Sequence, residues 1–129
     1  LYGQSGQDKI YGGSGNDYIA GGSSNDSLIG GSGDDFLKGG SGDDLLNGGI
    51  GQNTLNGGSG YDICVLGSGE GFTTVTDFQL GIDQLSLGIT DTIKTDFIED
   101  DTLLFAGKDY IGKILDTKLD DTNKDMWMV

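Results

Sequence analysis

From Gly3 to Val65 one apolar residue recurs every nine positions: Ile10, Ile19, Leu28, Leu37, Leu46, Leu55 and Cys64. Between these sites lie glycine- and Asx-rich segments such as Gly30-Gly31-Ser32-Gly33-Asp34-Asp35, and no insertion interrupts the seven copies. With Gly3 as position one, copies start at Gly3, Gly12, Gly21, Gly30, Gly39, Gly48 and Gly57. A fixed period of this kind marks a repeat architecture in which each unit buries its apolar face only against its neighbours. Positions seven to nine predict a short strand, its central apolar residue on one face and the flanking residues on the other. Positions one to six predict a tight turn, since glycine and Asx tolerate positive φ.

Strand plus turn, repeated, predicts a ribbon in which one coil takes two copies of the unit. Odd copies then stack into one parallel sheet and even copies into another, with the position-eight residues meeting as a thin core. The expected fold is all-β, a parallel β-roll wound as a right-handed solenoid and followed by a small β capping segment. Cys64 fits this core as a small buried hydrophobe. The chain has no histidine to activate it as a nucleophile.

Composition shows how such a fold could be held. Only 34% of the 129 residues are hydrophobic, and there are 26 glycines and no proline. An ordinary core would not offset the conformational entropy of that chain. A net charge of −14, from 21 acidic residues against 7 lysines, excludes nucleic acid as a partner and points to cations. One cysteine allows no internal disulfide, so metal is the natural staple. No apolar run approaches the length of a membrane-spanning helix. Leu1 and Tyr2 fall at positions eight and nine of a preceding copy, so the chain is expected to be a fragment of a larger polypeptide.

Position six carries the candidate chemistry: Asp8, Asp17, Asp26, Asp35, Asp44, Asn53 and Asp62. In the stack, residues 18 apart lie about 4.8 Å apart, the strand spacing of a sheet. Carboxylates that close repel and call for a cation between them. Successive turn carbonyls alternate in direction, so positions one and three face one ion while positions two and four face the next. An oxygen-only, carbonyl-rich cage suits Ca2+ better than magnesium. Zinc and copper lack histidine and clustered cysteine ligands here.

Residues 3–65 resemble the hemolysin-type calcium-binding repeats of RTX proteins. The stretch Asp77-Phe78-Gln79-Leu80-Gly81-Ile82-Asp83-Gln84-Leu85-Ser86-Leu87 is similar to that family's closing segment. The resemblance implies several calcium ions between turns, and a secreted or cell-surface location reached by a type I system that reads an uncleaved C-terminal signal. Carried over by position, the ligands are the position-six residues with carbonyls of Gly12-Gly13-Ser14-Gly15, Gly21-Gly22-Ser23-Ser24, Gly30-Gly31-Ser32-Gly33 and Gly39-Gly40-Ser41-Gly42. Gly49, Gly51, Gly58 and Gly60 complete that set, and Asp77 and Asp83 join it as neighbours of the last turn. Three departures stand out. Gln4 removes a glycine from the first turn, and Ser24 replaces a position-four glycine, at little cost if its φ is negative. Gln52-Asn53 replaces an acidic pair, which should weaken the site shared with Asp35.

The sequence divides into a calcium-binding roll, residues 1–74, and a C-terminal β segment, residues 75–129, that serves as cap, export signal or both. In an eighth unit starting at Leu66, Gly71 falls at position six, so this turn is expected to carry the chain out of the roll. Thr73–Phe78 and Gln84–Leu87 are predicted strands, Thr102–Phe105 and Tyr110–Leu115 a hairpin, and Met126–Val129 a last strand. The acidic clusters Glu99-Asp100-Asp101 and Asp120-Asp121 read as solvated loops. The functional reading is a non-enzymatic calcium-binding module that supports export and stability of a larger parent. The alternative is an adhesin or polysaccharide-binding module that grips a cell-surface glycan on outward aromatics such as Tyr18 and Phe36.

Overall fold

Throughout the repeats each copy pairs with the next but one, so that Ile10 stands opposite Leu28 and Ile19 opposite Leu37. The computed structural model describes residues 1–66, 71–79, 82–87, 93–98, 101–106 and 109–114, with residue 87 and the last three segments as backbone. One parallel sheet contains β1 (Tyr2–Ser5), β3 (Tyr18–Ser23), β5 (Phe36–Ser41) and the second half of β6 (Leu45–Ser59), with Tyr18 opposite Phe36 and Phe36 opposite Thr54. The other contains β2 (Lys9–Ser14), β4 (Ser27–Ser32), the first half of β6 and β7 (Ile63–Leu66), with Leu28 opposite Leu46 and Leu46 opposite Cys64. This is the β-roll of about four coils that the period predicts.

The strands are longer than the predicted triplets. Each of β2 to β5 spans six residues, from position seven to position three of the next copy. Positions two and three pair in register with the neighbouring coil, yet position two bends at positive φ, 106° at Gly13 and 118° at Gly31, so the turn begins inside the assigned strand. β6 runs on for 15 residues because Gly51, Gln52 and Asn53 pair with Gly71, Phe72 and Thr73.

Position eight builds the core. Ile19, Leu28, Leu37, Leu46 and Leu55 are fully buried, Cys64 nearly so, and Ile10 packs against them from the first coil. Each buried leucine or isoleucine contributes about 1.5–3 kcal/mol. The slab is one side chain thick per sheet, so its stability rests on every copy being present.

The pairing continues beyond the nine-residue register. β8 (Gly71–Val75) lies parallel to β6 with Val75 opposite Leu55, where the period would put Thr73. Gly71 therefore stands opposite Gly51 at position four, and Thr73 takes position six. The eighth unit thus contains two extra residues and remains in the roll, where the nine-residue count put Gly71 in the ligand place and took the chain out. β9 (Gln84–Leu87) pairs with β7, Leu85 opposite Cys64, where the period would put Ile82. Val75, Phe78 and Leu85 extend the core.

β10 (Ile93–Ile98), β11 (Asp101–Ala106) and β12 (Asp109–Ile114) form an antiparallel meander, and β12 lies parallel to β8 with Ile114 opposite Val75. The β11–β12 hairpin is as predicted. β10 is an addition, and Asp101 opens β11 rather than a loop. Glu99-Asp100, Asp120-Asp121 and Met126–Val129 lie outside the described residues.

Candidate metal centre

Each position-six residue reaches back to the coil before it. The backbone N–H of Asp8 donates to Asp26 Oδ1 (2.9 Å), that of Asp17 to Asp35 Oδ1 (2.8 Å) and that of Asp26 to Asp44 Oδ1 (2.8 Å). Asp35 N–H donates to Asn53 Oδ1 (2.9 Å) and Asp44 N–H to Asp62 Oδ1 (3.0 Å). These bonds hold the side chains upright along two columns of turns. They also bury them: Asp26, Asp35, Asp44 and Asp62 are at most 4% exposed.

The second oxygen of each carboxylate has a different situation. Oδ2 of Asp8, Asp17, Asp26, Asp35, Asp44 and Asp62 is buried with no hydrogen-bond partner. A buried carboxylate oxygen without a donor is strongly unfavourable unless a cation meets it. Burial pushes the carboxyls of Asp35 and Asp44 above the ordinary range, with neighbouring carboxylates adding to the rise. Asp62 is pushed up to about 6, first by burial and then by Asp83, Asp44 and Asp77.

Position one completes the cradle. A Cβ on Gly12 would lie 2.6 Å from the Gly30 carbonyl oxygen of the next coil and 2.7 Å from Asp17 Oδ2. Carbonyl and carboxylate thus converge on space that only glycine leaves open. Position-two and position-four carbonyls point the other way, Gly13 O against Gly31 and Gly15 O against Gly33. The alternation read from the sequence is present, with one refinement at position three. There the carbonyls of Ser23, Ser32, Ile50 and Ser59 each accept an N–H from position four of the coil before. Among the described residues no three acidic, histidine or cysteine side chains converge. Any ion between coils would therefore draw much of its coordination from backbone oxygens, the donor set of calcium.

Sequence reasoning missed position five. Asn16 Oδ1 accepts from Asp34 N–H, Asn25 Oδ1 from Asp43 N–H, Asp34 Oδ1 from Gln52 N–H and Asp43 Oδ1 from Tyr61 N–H, all at 2.9 Å. This exposed ladder points down the stack while the position-six ladder points up, so each coil junction there is clipped from both sides. The recurrence of Asx at Asn16, Asn25, Asp34 and Asp43 was the available signal. The two non-glycine turn substitutions carry strain: Gln4 and Ser24 have φ of 80° and 84°. The negative φ that would have made Ser24 inexpensive is not what the fold requires.

Asp77 and Asp83 are arranged differently from the ladder. Asp77 accepts from Gly57 N–H (2.9 Å) on Oδ1 and from Gly58 N–H (2.8 Å) on Oδ2. Asp83 continues the position-six column below Asp62, whose N–H it accepts at 3.1 Å, and its other oxygen accepts Gln79 N–H at 2.7 Å. Burial again raises the Asp83 carboxyl, against the lowering effect of those two N–H donors.

The family model of the RTX calcium-binding nonapeptide repeat (4 copies) matches residues 1–28 and 29–64. By these repeats, the chain belongs to the RTX calcium-binding family. No curated protein matches it. Among solved structures it is similar to the AlgE6R3 subunit of the Azotobacter vinelandii mannuronan C5-epimerase, with a TM-score of 0.68 and 20% identity over 92% of this chain and 79% of that one. At that identity the likeness speaks for the fold. The RTX repeats here are thus a calcium-binding module in which six orphaned carboxylate oxygens stand beside carbonyl-lined turns.

Proposed function

We propose that this RTX module is a calcium-dependent folding unit of a secreted protein, ordered outside the cell, where it supports export and stability of a larger parent. The observation that carries the proposal is the set of six buried, unpartnered Oδ2 atoms. Like charges at about the 4.8 Å strand spacing repel by roughly 3–4 kcal/mol at an effective dielectric of about 20. Two or three unneutralised pairs would match the whole net stability of a typical domain, about 5–15 kcal/mol. Ion binding energy is then folding energy.

Asp8, Asp17, Asp26, Asp35, Asp44 and Asp62 would hold the ions, with the turn carbonyls between them. We assign Asp77 to closing the stack, since both its oxygens already accept amides. Residues 75–129 act as the cap of the roll at 1–74, because β9 covers the edge of β7 and β12 the edge of β8. Open sheet edges otherwise invite fraying and association. Circular dichroism tests the reading. The chain should show β structure in millimolar calcium and lose it in excess chelator; a chain equally folded in both contradicts it.

The glycan-binding alternative has no support from the aromatic column. Tyr18 and Phe36 stack at 5.3 Å with planes 2° apart, so their faces meet each other rather than a sugar ring. That is cross-strand packing within the sheet.

A further inference from the structure

The sixth copy departs from the ladder and satisfies itself. Asn53 is buried at position six, and its Oδ1 accepts the Asp35 N–H as an aspartate would. That bond fixes the orientation of the side-chain amide, because a backbone N–H needs an acceptor opposite it. Nδ2 therefore takes the place that the orphaned Oδ2 takes elsewhere. It lies 2.8 Å from where a Cβ on Gly48 would be, whereas the corresponding neighbours of Gly39 and Gly57 are Oδ2 of Asp44 and Asp62. From this place Nδ2 donates to Gly49 O (3.2 Å) and Gly51 O (3.4 Å).

Gly49 and Gly51 occupy positions two and four, whose carbonyls face the following coil; Gly51 O lies against Gly71 of β8. The position-six residue across that junction is Thr73, buried and uncharged. Among the described residues, the junction between the sixth copy and β8 thus has no position-six carboxylate on either side. Nor is any described side-chain oxygen orphaned there, and the Gly49 and Gly51 carbonyls are already met by N–H donors.

We propose that this junction closes without metal, the amide hydrogens of Asn53 standing where an ion stands between the aspartate copies. The inference rests on the calcium reading of those copies and narrows it. Asn53 is then a substitute for an ion rather than a weak ligand, and the coil next to the closing segment needs no ion of its own once the aspartate copies are filled. The neutral side chain removes repulsion at a junction whose position-six partner, Thr73, is itself uncharged.

Calcium binding by the full chain tests this. Equilibrium dialysis with calcium should give N53D one more ion per chain than the wild type, because the substitution turns the Nδ2 donor into another unpartnered oxygen beside the same carbonyls. An unchanged stoichiometry, with the wild type binding several ions, overturns the proposal. A second measurement needs no variant. In the calcium-saturated wild type, the Asn53 side-chain amide protons should exchange at least about tenfold more slowly than those of an exposed asparagine; exchange at the exposed rate overturns the proposal even if N53D fails to fold. A wild-type chain that binds no calcium overturns the calcium reading itself, and this inference falls with it.

Discussion

Asp44 in the repeat stack and Asp77 in the segment that closes it are the same residue in opposite circumstances. Asp44 gives one oxygen to an amide and leaves the other buried with no partner. Asp77 gives both oxygens to adjacent amides, Gly57 and Gly58, at the edge where β8 turns away. Around it Thr76 N–H meets Leu55 O and Gln79 Nε2 donates to Gly58 O, so the last polar groups of the sheet are met by side chains and a bend. The stack is left incomplete by its own period, whereas Asp77 and Asp83 of the closing segment have both carboxylate oxygens met by N–H donors. Periodic packing can satisfy each position-six amide from the coil that follows, but every aspartate copy then carries the same leftover oxygen. Only an aperiodic segment, or an odd residue such as Asn53, can end the series without an ion.

The largest effect should come from separating the two regions. Deleting everything after Thr74 exposes both sheet edges and removes Phe78 and Leu85 from the core. The remaining repeats should stay disordered at millimolar calcium, or associate, by circular dichroism and sedimentation. A monomer folding at the unchanged calcium midpoint would break the comparison, since the stack would then need no closing segment.

Within the stack, D44A should be the more damaging of two ladder substitutions. Asp44 stands between Asp26 and Asp62, and its loss also leaves the buried Asp26 N–H without an acceptor. Loss of a charge-assisted buried bond costs about 1.5–3 kcal/mol, so the calcium midpoint should rise roughly tenfold or more. D8A borders one described coil and should shift it less; equal shifts would contradict the 18-residue stacking.

D77N sharpens the contrast from the other side. One amide loses its acceptor, which should lower stability in saturating calcium by about 1–3 kcal/mol in chemical denaturation. The number of bound ions should not change. A lost ion would place Asp77 among the ligands after all.

The smallest effect concerns protons as partial substitutes for ions. In the metal-free fold the Asp62 carboxyl lies near 6 against an ordinary value of 3.8. A raised carboxyl favours the folded state when protonated. Its contribution is complete below about 4 and is lost as pH rises through about 6. In chelator, the β signal should therefore be greater at pH 5 than at pH 7.5, and in calcium the midpoint should rise as pH falls below 6. The reverse order would mean that the ladder carboxylates are not buried as described.

The sequence alone determined the roll, its two parallel sheets, the 18-residue stacking and the position-eight core, because each follows from strict period and local geometry. It also determined which carboxylates form a column. Only the tertiary structure decided how the series ends. The register of Gly71–Val75 depends on two extra residues that a nine-residue count misreads, and the pairing of Gln84–Leu87 on three. Side-chain partners were likewise invisible at position five and at Asp77, since a hydrogen bond between neighbouring coils is set by which coil lies next, and in which direction its amides point. The identity of Asn53 could be read from the chain. Its amide nitrogen meeting Gly49 and Gly51 could not, because that contact exists only once Asp35 of the coil above has fixed the other end of the side chain.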